Sequence, residues 1–309
     1  YMRWLLEKRW LFYMLSLLAF VVALLSKSVG IVLLLLLPLC DWLQMGWSGL
    51  SNRLRSYLPY WLAAVVYLLV SRPLVNKAIF VPVRPLDVQL WTQLKAWIYY
   101  ILLGIVPARL SVEHQFFASS TPFDPAVCGA LLLALSAWGG ILFYRRRQPV
   151  FALVWSAVVL LPASVIPLIV LVNEHRLYLS LAGAGLLLGW LFDRLYQRRP
   201  RVALSSLAVY TVLLAMATFS RGQVCADERH LWADAAEKAP LMFKPHLRWA
   251  DALLADGEVA AAEKAYLHAL DLRPLHPAAR NNLGRLYLRQ GRLEEAERHF
   301  RTLLQVSPD

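Results

Sequence analysis

Acids are scarce over most of this chain. Before position 226 there are only seven, Glu7, Asp41, Asp87, Glu113, Asp124, Glu174 and Asp193, against twenty Lys and Arg. After it, thirteen acids nearly balance twelve bases, so the net charge of +12 belongs to the first part. Charged residues of all kinds make up only 17% of the chain and apolar residues 59%, which excludes an ordinary soluble composition for the whole. Cysteine is scarce too. Cys40, Cys128 and Cys225 lie far apart, the first two in apolar runs, which excludes a disulfide framework and any metal-ligand spacing. No basic run is interleaved with base-stacking aromatics in a polar module, so the excess of Lys and Arg reads as topological and not as a nucleic-acid surface. No small-residue cleavage site follows the first apolar run, so no cleavable signal peptide is visible. The chain begins at Tyr1, and the expectation is a fragment lacking N-terminal spans.

What is present falls into two unlike parts. Residues 1–225 are apolar segments broken by short basic loops, and residues 226–309 form a polar repeat. The expected fold is all-α: a polytopic membrane helix bundle followed by a tetratricopeptide-repeat α-solenoid. A bilayer span needs about 20 mostly apolar residues. Seven segments qualify, at roughly 10–26, 29–49, 58–75, 126–144, 150–171, 176–195 and 202–220. An eighth, 89–107, carries Gln93 and Lys95 and is rich in Trp and Tyr. Basic clusters at Arg3–Arg9, Arg53–Arg55, Arg145–Arg147 and Arg194–Arg201 all belong on the cytoplasmic side if 89–107 does not cross. That segment is therefore expected at the outer interface or re-entrant. The repeats then lie outside the cytoplasm: in the periplasm for a bacterial inner-membrane protein, or in the lumen for a eukaryotic endoplasmic reticulum protein.

The repeat is read from its period. Pro240, Pro274 and Pro308 are 34 apart, as are Gly257 and Gly291, Ala262 and Ala296, Ala250 and Gly284, Leu253 and Tyr287, and Tyr266 and Phe300. This is the tetratricopeptide helix–turn–helix pattern. Small residues let two helices approach and aromatics fill the space between them. Two full repeats are visible, with half a repeat before them around Trp232. Because about three repeats are needed to bury a continuous core, the array is expected to continue. Such surfaces bind extended peptides or partner proteins.

Ionisable residues within apolar segments are costly, so each asks for a partner or a role. Lys27 sits at the outer junction of the first two segments, either snorkelling or contacting a phosphate. Asp41, after Pro38, is a structural ion pair or a site residue. Glu174, His175, Arg176 and Tyr178 open a span that follows Pro162 and Pro167. Arg176 suits bidentate phosphate recognition, with Glu174 holding it or acting as a base; the alternative is a structural Glu–Arg pair. Glu113 and His114 lie on an outer loop, a weak acid–base or metal signal. Gly185 and Gly189 read as a helix-packing pair.

These motifs together resemble the transmembrane and tetratricopeptide-repeat O-mannosyltransferases and their bacterial relatives, multispan glycosyltransferases of the C-type fold. The resemblance covers nearly the whole chain, in order. It runs through Leu25-Ser-Lys-Ser28 with Pro38 and Asp41-Trp42, Leu110-Ser-Val-Glu-His114, Leu161-Pro-Ala-Ser164, and Glu174-His-Arg-Leu-Tyr-Leu-Ser180, and then the repeats. Ser28 stands where the family usually has Glu, Glu113 where it has Asp, and Ser180 where it has Pro. The resemblance implies transfer of a sugar from a polyprenyl-phosphate donor to a protein hydroxyl on the outer face. Lys27 and Arg176 would contact the donor phosphate. Glu174, Tyr178, Glu113 and His114 would support them, and the repeats would engage the acceptor. It implies no prosthetic group and no metal. The family's key acid lies in a first outer loop that this sequence does not contain, so no catalytic residue is assigned and the fragment itself is expected to be inactive. The alternative class is a non-enzymatic membrane-anchored scaffold for protein–protein interaction. A polysaccharide polymerase or ligase is a third, but it calls for a large outer loop rich in Arg and His that these segments lack.

Overall fold

The computed structural model describes residues 1–47, 50, 52–72, 83–143, 146–167 and 170–306. It divides into two compact units. The first comprises Tyr1–Gly104, Ala118–Leu171 and His175–Ser206, and the second Ile105–Phe117, Val172–Glu174 and Leu207–Asp309. Three stretches of the first 225 residues, 105–117, 172–174 and 207–225, therefore join the unit that holds the repeats. Among the described residues there are helices and no strands.

Helix α1 (Met2–Glu7) precedes the first apolar segment, and helices α2 (Trp10–Ser26), α3 (Leu33–Met45), α4 (Leu54–Val70), α5 (Leu86–Ile105), α6 (Pro125–Phe143), α7 (Arg147–Val165), α8 (Leu177–Arg198) and α9 (Pro200–Val224) overlap the eight segments read from the sequence. The chain breaks where backbone chemistry demands it. Lys8 takes a left-handed φ of 55° between α1 and α2, and Gly46 closes α3 at φ 74°. Pro162 sits near the end of α7, which stops at Val165. A 3-10 turn, Ser28–Val32, makes the tight link from α2 to α3.

Among the described residues only α7 and α9 combine the length and apolarity needed to cross a membrane; α2, α4 and the apolar runs Val29–Met45 and Pro125–Ser136 are shorter. At 1.5 Å per residue the 17 residues of α2 reach about 25 Å, short of the roughly 30 Å hydrocarbon core. Helix α9 is exposed almost all round, with Ala203 its one buried residue.

Helix α5 is the segment expected at an interface, and it is a continuous helix of 20 residues. Its buried stripe is Gln89, Thr92, Gln93, Ala96, Tyr100 and Leu103. The amides turn inward and not toward a polar surface. Gln89 donates to the carbonyls of Ala163, Ser164 and Ile166 at 3.2–3.3 Å, and Gln93 to that of Leu171 at 3.3 Å. They supply donors to carbonyls in the last turn of α7 and to those of Ile166 and Leu171 beyond it, which have no helical N–H to accept from. Lys95 pairs with Asp124 at 2.9 Å, so both charges are answered within this unit.

The packing glycine of α8 is Gly183, not Gly185 or Gly189. A methyl group on Gly183 would lie 2.6 Å from the Ala152 carbonyl of α7, whereas at Gly185 and Gly189 it would meet nothing within 4 Å. The glycine that packs against α7 thus lies two residues before the Gly185–Gly189 pair expected from the spacing.

In the second unit, α10 (Glu228–Lys238), α11 (Phe243–Ala255), α12 (Val259–Leu272), α13 (Pro277–Arg289) and α14 (Leu293–Val306) form the repeat. Asp227 caps α10 by accepting from the His230 N–H at 2.8 Å. Each helix pair turns at a glycine, Gly257 at φ 81° and Gly291 at φ 76°. The turns close identically, with Glu258 N–H on the Leu253 carbonyl and Arg292 N–H on that of Tyr287, both 2.9 Å. Ala250, Leu253, Ala262, Tyr266, Ala269, Leu283, Leu286, Tyr287 and Ala296 make one continuous core. Gly284 takes the place of Ala250 because the Phe300 ring lies within 2.9 Å of where its methyl would be.

Candidate functional site

Four places gather the chemistry. In the first unit, Asp41 is fully buried on α3. Its carboxylate accepts from Tyr57 at 2.5 Å and from Tyr1 at 2.7 Å, and pairs with Arg53 at 2.9 Å. Three donors leave it a satisfied structural anchor. Arg147 reaches the same end of α3, with its guanidinium beside Gly46 and 3.5 Å from the Trp42 carbonyl. Two of the basic clusters assigned to one side of a membrane thus meet at one end of α3.

Lys27 follows the last residue of α2 and is exposed. Arg176 donates to the carbonyls of Val170 at 2.8 Å and Leu171 at 2.9 Å, so its guanidinium splints the turn before α8. His175 lies within the electrostatic reach of both. Desolvation, then Lys27, then Arg176 hold its imidazole below the usual histidine pKa. Desolvation, then Arg176, likewise lower the guanidinium pKa of Arg84. Arg84 also donates a short hydrogen bond to Gln89, the residue that grips 163–166. His175 thus feels the charges of both Lys27 and Arg176, and Arg84 that of Arg176. Arg84 was missed because a lone arginine before a proline has no sequence pattern of its own. Tyr178, 76% exposed, points away from the core.

In the second unit, Glu113 and His114 lie on the loop that packs with the repeats, and Glu174, from the 3-10 turn Glu174–Arg176, reaches that loop. Glu174 accepts from the Ser111 N–H at 2.6 Å and touches the buried His114 at 3.3 Å. Its carboxylate thus anchors this loop, which differs from the role of orienting Arg176. Glu113 pairs with Lys244 on α11 at 2.8 Å. Lys238 of α10 donates to the Leu110 carbonyl at 2.9 Å, and the Gln115 amide oxygen accepts from Leu241 N–H. The loop is docked through five polar contacts. No group of three or more His, Cys, Asp or Glu suited to a metal occurs among the described residues.

The fourth place is a cleft of about 300 Å³ in the repeats, lined by Asp251, Leu254, Ala255, Tyr266, Asn282, Arg285, Leu286 and Arg289. Asp251 accepts from Tyr266 at 2.7 Å and Asn282 at 2.9 Å, and Arg248 stands 3.6 Å away. Burial and the neighbouring Asp251 raise the Tyr266 phenol pKa, and Arg285 is close enough to oppose that rise.

This geometry defines the second unit as an α-solenoid of stacked helix–turn–helix repeats. Residues 247–309 match the tetratricopeptide repeat family. The match covers the repeats and not the glycosyltransferase part of the resemblance. No curated protein matches this chain.

Proposed function

We propose that this chain is a membrane-anchored protein whose repeats hold an extended segment of a partner polypeptide. The observation that carries the reading is the direct continuity of α9 with the repeats. Leu204, Val209, Val212, Leu213, Met216 and Phe219 of α9 are all exposed, and only three residues separate α9 from α10. Such a surface in water costs about 25 cal/mol for each Å² of apolar area, a cost that lipid removes. Alkaline carbonate extraction of expressing membranes tests the anchor. The chain is expected in the pellet, and release into the supernatant would defeat the reading.

A finer reading makes the bound partner the acceptor in sugar transfer from a polyprenyl phosphate. It is favoured by the positive charges of Lys27 and Arg176, which both act on His175, and of Arg84 within reach of Arg176, charge of the kind a leaving phosphate would need. An acid outside this sequence would deprotonate the acceptor hydroxyl. The test is binding of polyprenyl phosphate to the purified chain in detergent. Lys27→Ala is expected to weaken it without changing thermal stability, since Lys27 is exposed. Arg176→Ala is less decisive because it also frees two carbonyls. Unchanged affinity in Lys27→Ala would remove the phosphate role.

A further inference from the structure

The first unit gathers unanswered positive charge where α3 ends. Asp41 joins α3 to Tyr1 and to Arg53 at the start of α4, and Gln44 reaches Met2 of α1. Arg147 at the start of α7 stands 3.5 Å from the Trp42 carbonyl. Tyr13, near the start of α2, donates to the Ser56 carbonyl at 2.7 Å. The basic link between α1 and α2 and the basic starts of α4 and α7 therefore share one end of the unit. Its two acids are already paired, Glu7 with Arg3 at 3.5 Å and Asp41 with Arg53 at 2.9 Å. Lys8, Arg9, Arg55, Arg146 and Arg147 are exposed, and among the described residues none of them pairs with a carboxylate. Like charges held on one surface repel unless an anion lies against them. Large apolar side chains stand among these cations: Leu6 is 80% exposed, Trp10 64%, Trp47 76% and Leu54 61%. A nucleic acid or an acidic soluble protein would answer the charge and leave those side chains in water. A bilayer interface answers both, because indoles settle at headgroup level and guanidinium groups meet phosphate.

We propose that this end of the first unit binds anionic phospholipid headgroups, with the phosphates on Lys8, Arg9, Arg55, Arg146 and Arg147 and the upper acyl carbons against Trp10 and Trp47. Basic surfaces attract anionic lipid more strongly with each added Lys or Arg. The proposal rests on the reading that the chain is membrane-anchored. A free phosphate shares the headgroup chemistry, and the two sources are separable by experiment.

Calorimetric titration of the full chain in a non-ionic detergent supplies the test. The probes are dihexanoyl phosphatidylglycerol, dihexanoyl phosphatidylcholine, inorganic phosphate and a short oligonucleotide. Phosphatidylglycerol is expected to bind about tenfold or more tighter than phosphatidylcholine, and the difference should shrink as salt is added. Inorganic phosphate, with no acyl chains for the tryptophans, should bind more weakly than phosphatidylglycerol; equal affinity would assign the surface to a free anion and overturn the lipid. Lys8→Gln, Arg9→Gln, Arg55→Gln and Arg146→Gln combined should remove the preference while thermal unfolding stays unchanged, since all four side chains are exposed. Arg147 is kept in that variant because its guanidinium also packs against Gly46. Equal binding of the two lipids, a preference that survives the combined substitution, or tighter binding of the oligonucleotide would overturn the proposal. Carbonate extraction decides the anchor separately. A chain that stays in the pellet without a headgroup preference loses this inference alone, and a chain that is released loses both.

Discussion

Ser156 on α7 and Ser180 on α8 are joined reciprocally: each hydroxyl donates to the other's main-chain carbonyl at 3.0 Å. So close an approach of two backbones is possible only if the next turn of α8 has no side chain, and Gly183 meets that need. Its Cα faces Ala152 and Ser156 closely enough that a methyl would fall 2.4 Å from the Ser156 hydroxyl. Gly183→Ala is expected to destabilise the first unit by about 1–3 kcal/mol through overpacking. Gly185→Ala and Gly189→Ala, with open space around them, should be neutral or gain up to about 1 kcal/mol from helix propensity. Thermal unfolding of the three variants in one detergent compares them directly. An equal loss in all three would show that the α7–α8 contact is not as close as described.

Asp41 supports a second prediction. It is fully buried, and Arg53, Tyr57 and Tyr1 all depend on it. Asp41→Ala leaves a guanidinium facing a site it was built to neutralise, which costs about 3–5 kcal/mol when one partner of a buried pair is removed. Tyr57→Phe removes only one hydrogen bond to a charged group, about 1.5–3 kcal/mol. Denaturant unfolding followed by tryptophan fluorescence should rank the two in that order. A mild Asp41→Ala effect would point to a site residue held at little structural cost.

The repeats should weaken in mild acid. His246, His276 and His299 are each lowered in pKa, first by desolvation. For His246 the Pro240 carbonyl opposes the shift and His268 adds to it; for His276 and His299 nearby arginines add to it. A histidine held neutral on folding binds fewer protons in the native state than in the unfolded chain. Its contribution is therefore complete above the unfolded pKa of about 6.5 and is lost as pH falls from there toward the folded value. Amide hydrogen exchange over 243–306, corrected for the chemical rate, should show protection falling from about pH 7.5 to about pH 5.5. Protection that is flat across that window would mean these imidazoles charge without penalty.

How much could be read beforehand differs between the halves for a physical reason. In the repeats, Ala250 and Gly284, Leu253 and Tyr287, and Gly257 and Gly291 sit at one period because each solves the same packing problem twice, so spacing alone gave the turns and the core. In the first part, apolar runs located the helices but not their inward faces. On a largely apolar helix such as α8, only contacts distinguish Gly183 from Gly185. Gln89 and Gln93 illustrate the same limit. Amides on an aromatic-rich helix read as interfacial, yet they bury themselves to satisfy the carbonyls of 163–171. Among the candidate residues, Lys27 and Arg176 both act electrostatically on His175, while Glu174 contacts the loop that carries Glu113 and His114. Arg285 and Arg289 carried no signal until α13 placed them beside Asp251.

That loop gives the last prediction. Glu174 accepts from the main-chain N–H of Ser111, which is 2% exposed, and contacts His114, which is 6% exposed. Lys244 and Glu113 bind the same loop to α11, but through a lysine side chain 47% exposed. The two attachments should differ in strength. Glu174→Ala leaves a buried donor without its acceptor, a loss of about 1–3 kcal/mol. Lys244→Ala removes a solvent-screened pair and should cost about 0–1 kcal/mol. Exchange at 110–115 should rise strongly in the first variant and little in the second, and raised salt should reproduce only the second effect. If Lys244→Ala frees the loop as fully as Glu174→Ala, the exposed pair and not the buried carboxylate holds it to the repeats.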